Sequence, residues 1–257
     1  MQSTHSVRPS IDGGDATPTD HVGGDWKRFL RCWALVAGLS MLGLFIVFSI
    51  VQGSAADSPL AEKYEELAAA TASPALYRLA SIFDVAVWLG LGGMFVAFGA
   101  VLATQAKVRS TLVMACGIGQ IAGVIGAFTR LQGLTELAAD YTGAGAEQQA
   151  ELLRSSLDLE LVVYTHFAAG SLLWTTALFL VASVGWRMAH FPRWLAALMA
   201  VTGVLNLTTD VFGIVTVEDV PDAISILALT ALMAVFFGVA RAFRRKSPLG
   251  SVDSAPA

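Results

Sequence analysis

Long apolar runs alternate with short polar ones along this chain, at a spacing set by a bilayer rather than by a soluble core. After Lys27, Arg28 and Arg31 no charged residue occurs over 32–56. Similar runs follow at 85–106, 110–129, 161–186, 194–215 and 223–240, the fifth interrupted only by Asn206 and Asp210. A helix needs ~20 mostly apolar residues to cross a membrane. The pattern therefore predicts six transmembrane helices in an all-α polytopic bundle. A cleavable signal peptide is the competing reading of the first run, but signal apolar regions span only ~7–15 residues. A retained helix is the expectation.

The polar stretches predict the rest of the layout. Residues 1–27 and 247–257 are too polar to bury a core and are expected to be disordered tails flanking a membrane domain over 28–246. Pro74 suits the first turn of the second helix. The segment 133–160 reads as the longest connection, broken at Gly143-Ala144-Gly145. Short surface helices are expected near 59–73 and near 146–158, the latter from Leu152, Leu153 and Leu157 at helical spacing. Neither an internal repeat nor paired broken helices of the transporter kind can be seen.

Charge then sets an orientation. Lys107, Arg109, Arg187, Arg193, Arg241, Arg244, Arg245 and Lys246 join Lys27, Arg28 and Arg31 on alternate connections, whereas the remaining connections are acid-rich. Basic residues mark the cytoplasmic side, so both termini are expected inside. Composition agrees with this class: 55% of residues are hydrophobic, 14% are charged and mean hydropathy is +0.65. No basic stripe with interleaved aromatics supports nucleic-acid binding. Cys32 and Cys116 lie inside apolar runs without a CxxC partner and read as small buried apolar residues.

Candidate chemistry is confined to one side of the predicted bundle. Asp84, Arg130, His166, Asn206 and Asp210 fall in the outer third of their helices, with Asn206 and Asp210 on one face at i,i+4. Arg78, Gln120, Gln132, Glu136 and Tyr164 are secondary candidates, and Gln120 alone among these ten lies deeper. Ionisable groups inside a membrane are costly and point to function by default. Each has a plainer reading as well: Arg130 as an interfacial anchor or an ion pair with Asp84 or Asp210, His166 as a packed histidine, Asn206 as a bond between helices. With one histidine in the membrane region and no HxxxH or HExxH pair, a metal site is not expected, and no GxSxG elbow suggests a nucleophile. Ala115, Gly119, Gly123 and Ala127 form a small-residue ridge, and Gly90, Gly92, Gly93 and Gly99 another. Such faces admit a close helix neighbour or a second copy of the chain.

Three stretches also carry a resemblance. They are 76–84 (Leu-Tyr-Arg-Leu-Ala-Ser-Ile-Phe-Asp), 166–174 (His-Phe-Ala-Ala-Gly-Ser-Leu-Leu-Trp) and 191–203, opening Phe191-Pro192-Arg193-Trp194. Together they resemble a bacterial family of six-helix membrane proteins catalogued as a domain of unknown function. The resemblance implies that architecture over roughly 28–240 and a bacterial plasma membrane, without an activity or cofactor. From the residues themselves, the leading expectation is a non-enzymatic protein that binds, senses or passes a small polar ligand or proton through an outward-facing pocket. The rivals are an intramembrane enzyme acting on a lipid or isoprenoid, and a structural or accessory subunit.

Overall fold

Inside a bilayer no water is present to satisfy the backbone, so a spanning apolar run closes its hydrogen bonds within itself as a helix. The computed structural model describes residues 18–51, 67–68, 70–141, 143–215 and 222–244. Among them all long elements are helical: α1 (Pro18–Val51), α2 (Pro74–Leu102), α3 (Lys107–Gly119), α4 (Ile121–Tyr141), α5 (Ala146–Gly185), α6 (Arg193–Val215) and α7 (Asp222–Ala242). Pro74 opens α2 as expected. Five stretches are long and apolar enough to cross a membrane: Asp25–Val47, Pro74–Leu102, Lys107–Tyr141, Ala146–Gly185 and Ala223–Ala242. The remaining expected span is α6, a helix of 23 residues packed between α5 and α7.

The helices form a closed ring. Consecutive helices pack on one another except α3 and α4, which follow each other across a break; α2 also packs on α4, α3 on α5, and α7 returns onto α1. The shared core includes Leu30, Leu91, Phe95, Phe98, Leu178, Leu195, Met199 and Phe236, all at most 1% exposed. The turns 103–106 and 186–192 bring Lys107, Arg109, Arg187 and Arg193 to the end of this ring that also holds the start of α1 and the end of α7. Of the two cysteines, Cys116 is buried as expected, whereas Cys32 faces outward.

Three features depart from the sequence reading. First, the third predicted helix is broken at Gln120. Its N–H reaches back only three residues, to the Gly117 carbonyl at 3.2 Å, and its side-chain amide donates to the Cys116 carbonyl at 3.1 Å. Glycines at 117 and 119 weaken the helix there, and a side chain bonding back to the preceding turn bends it further.

Second, the expected long connection is mostly helix. α4 continues to Tyr141, and 146–158 is the start of the 40-residue α5 rather than a separate surface helix. Gly133 acts here as a contact instead of a breaker, because Leu159 packs 2.5 Å from where its Cβ would stand. The α4 extension meets residues 67–77 in a second core of Leu67, Ala70, Tyr77, Leu134, Ala138 and Tyr141, against which Leu152, Leu153 and Leu159 of α5 pack. At ~1.5 Å per residue α5 is about 60 Å long, twice the hydrocarbon thickness. Of the surface helix expected near 59–73, residues 59–66 lie outside the described residues. Third, α1 begins at Pro18, inside the expected tail. The stretches 1–17 and 247–257 of the expected tails lie outside the described residues.

The glycine faces are used within the chain. Gly92 and Gly117 stand back to back: a Cβ on Gly117 would lie 2.8 Å from the Gly92 carbonyl oxygen and the Val96 nitrogen. Gly90 is as close to the backbone of Ala37, and Gly93 receives the Trp33 ring. On the other ridge, Gly119 faces Leu173 and Gly123 faces Trp88.

Candidate functional site

The polar side chains between α2, α4, α5 and α6 are joined by two tryptophans. On α2, the Trp88 indole N–H donates to Asp84 Oδ1 one turn earlier, at 3.1 Å. The charge of Arg130, on α4, acts on the same carboxylate. The Trp88 ring stacks on Phe167 of α5, centroids 5.4 Å apart and planes 9° from parallel, and tilts against Trp174 at 6.5 Å. Trp174 donates its indole N–H to Ser171 Oγ at 2.7 Å, and Ser171 donates in turn to Asp210, 2.7 and 3.0 Å from its two oxygens. Gly123 and Gly170 make the slot for Trp88; a Cβ at Gly170 would lie 2.7 Å from the ring.

The other candidates stay apart from this network. Asn206 is buried, but its amide donates to the Thr202 carbonyl of its own helix at 2.9 Å. The His166 Nδ1 lies 2.9 Å from the Val162 carbonyl, again within one helix, and its Cβ packs where Gly126 leaves room. Tyr164 is 45% exposed on the surface of α5. Gln120 is 1% exposed and spans the break, donating also to the Gly170 carbonyl at 3.3 Å.

Clefts open between α2 and α4, at the basic end of the bundle and beside Gly92 and Gly117, and their walls do not include Asp84, Arg130, His166, Asn206 or Asp210. Three of the secondary candidates, Arg78, Gln132 and Glu136, share one. A cleft of about 360 Å³ between α2 and α4 is lined by Arg78, Ile82, Leu131, Gln132, Thr135 and Glu136. Gln132 Nε2 donates to Glu136 Oε1 at 3.2 Å, which fixes the carboxylate along the rim. A smaller cleft of about 200 Å³ shares Arg78 and Thr135 and continues to Thr71 and Tyr77. A guanidinium and a carboxylate on one apolar-walled cleft can hold opposite charges on one ligand.

A family profile described as a domain of unknown function, DUF4386, matches residues 36–241. The chain belongs to the DUF4386 family. No curated protein and no solved structure matches it. In this DUF4386 protein the matched region takes in the whole tryptophan network and the Arg78–Glu136 cleft, whereas Lys27, Arg28, Arg31 and Arg244 fall outside it.

Several of these residues escaped the sequence reading. Trp88, Phe167, Ser171 and Trp174 look like ordinary apolar or small residues of their spans. The usable signals were local: Trp88 stands one turn after Asp84, and Trp174 three residues after Ser171. Thr135 of the cleft was hidden because its helix was read as a loop.

Proposed function

We propose that this DUF4386 protein is a six-span protein of the bacterial plasma membrane, with both termini in the cytoplasm, that binds a small zwitterion from the outer side. Support for six spans is the antiparallel course of α6 between α5 and α7; support for the orientation is the gathering of basic residues at one end. The observation that carries the binding reading is the presence of Arg78 and Glu136 on one cleft whose other walls, Ile82 and Leu131, are apolar. A volume of about 360 Å³ suits a molecule of amino-acid to dipeptide size. In this reading Arg78 takes the anionic group, Glu136 the cationic one, and Thr135 and Gln132 supply further hydrogen bonds.

The test is thermal unfolding of the detergent-purified protein with leucine, 4-methylpentanoate or isoamylamine. Leucine is expected to raise the melting temperature, and the two singly charged analogues to do so much less. Arg78→Ala and Glu136→Gln are each expected to cut the leucine effect at least tenfold in concentration, a loss of roughly 1.4 kcal/mol or more. Equal shifts by all three compounds, or variants that keep the full response, would overturn the reading.

A second reading has its own observation. Asp84 and Asp210 are each bonded to groups of this chain, and Arg130 acts on Asp84. Interior polar groups engaged in this way hold helices in register. The network then serves as scaffold, fixing α2 against α5 through Trp88 and Phe167 and α5 against α6 through Ser171 and Asp210.

A further inference from the structure

We propose that the opposite end of the bundle carries a second binding site, for a phosphate group borne on an apolar body. A cleft of about 500 Å³ opens there between the start of α1, the end of α2, the turn 186–192 and the end of α7. Among the described residues four cations line it, Lys27, Arg28 and Arg31 from α1 and Arg244 from beyond α7, with His190 beside them and no acidic residue. Its floor is aromatic. Phe191 and Phe243 line it and pack on each other and on Phe98 behind them, with centroids 6.0–6.3 Å apart, and Phe98 and Phe191 are buried.

Membrane topology by itself asks only that basic residues lie on one side of the bilayer. It does not ask that segments more than two hundred residues apart in sequence place their cations around one concave wall. Arg187 and Arg193 lie at the same end and meet the topological demand without entering the cleft. Four like charges around one cleft repel one another until an anion arrives, and a rigid aromatic floor adds apolar contact area at no ordering cost. Arginine forks suit phosphate oxygens in paired hydrogen bonds. Basic pockets between helix ends at a membrane surface are where anionic headgroups settle.

Two sources could supply this chemistry: an anionic phospholipid of the adjoining leaflet, or a soluble organic phosphate. The experiment measures melting temperature of the full chain in nanodiscs of phosphatidylcholine, with or without phosphatidylglycerol, and separately with ATP. The site predicts a rise of about 5 °C or more near saturation with one of these ligands. Phosphatidylglycerol alone acting identifies a lipid site; ATP acting, or displacing the lipid effect, identifies a soluble ligand. Arg31→Gln, Arg244→Gln and the more exposed Arg28→Gln are each expected to remove most of the rise while leaving the phosphatidylcholine melting temperature unchanged. Arg187→Gln and Arg193→Gln are expected to keep it. A loss that is equal for all five variants would reduce the effect to general surface charge and overturn the proposal. No rise with either ligand would overturn it as well.

Discussion

Trp88→Ala is expected to destabilise the protein by about 3–4 kcal/mol, the largest effect of any single truncation in the network. In a membrane the unfolded helices stay in lipid, so the cost comes from lost packing rather than from exposure to water. Removing roughly 140 Å³ at ~24 cal/mol per Å³ of residual cavity gives about 3 kcal/mol. The indole fills the slot left by Gly123 and Gly170 and stacks on Phe167, so its neighbours have little freedom to collapse inward. Loss of the N–H donor to Asp84 adds about 1 kcal/mol. Unfolding in mixed micelles of rising denaturing-detergent content measures the total. Trp88→Phe separates the parts: it keeps a stacked ring and loses the donor, and should cost about 1 kcal/mol beyond a modest packing loss. If Trp88→Phe proved as damaging as Trp88→Ala, the hydrogen bond to Asp84 would carry the energy instead of the slot.

Gly117→Val is expected to cost about 3 kcal/mol, at the upper end for overpacking. The first added carbon already falls 2.8 Å from backbone atoms of Gly92 and residue 96, and backbone yields less readily than a side-chain tip. The two helices must separate, which loosens the contact on which the break at Gln120 rests. Gly117→Ala should show a smaller loss of the same sign. Gly143→Ala and Gly145→Ala are the matched controls, since nothing stands within 4 Å of a Cβ at either position. Their melting temperatures should stay within about a degree of the parent, because open positions tolerate the change and the unfolded chain loses some freedom. A Gly117 variant as stable as these controls would mean that α2 and α3 do not pack through their glycines.

Much of the fold was legible because a bilayer imposes simple rules on composition. The uncharged runs gave the helices, Pro74 gave the start of α2, and the alternation of basic connections matched the gathering of cations at one end. The site was less legible. Asp84, Arg130 and Asp210 were recognised as groups needing company in an apolar environment, and they have it. Asn206 and His166, weighed alongside them, turn back onto their own helices. The sequence points to a pocket among these five, and the clefts at Arg78–Glu136 and at the basic end lie apart from them. Gln132 and Glu136 share a face only if the third helix runs past the interface, and the structure continues α4 to Tyr141, carrying Gln132, Thr135 and Glu136 along one side of α2.

What the sequence determined by itself is therefore whatever depends on local composition: the helical class, the long apolar helices of a membrane protein, the end at which the cations gather, and which polar residues must find partners. Periodicity and hydropathy are properties of neighbouring residues, so one chain suffices to read them. What only the tertiary structure decided is which distant residues meet. Whether a glycine ends a helix or admits a leucine, as at Gly133, depends on a neighbour in another segment. That Lys27, Arg28 and Arg31 close on Arg244 over three phenylalanines depends on the ring closing between α1 and α7. Packing settles such encounters by shape at van der Waals distance, and no spacing along the chain encodes it.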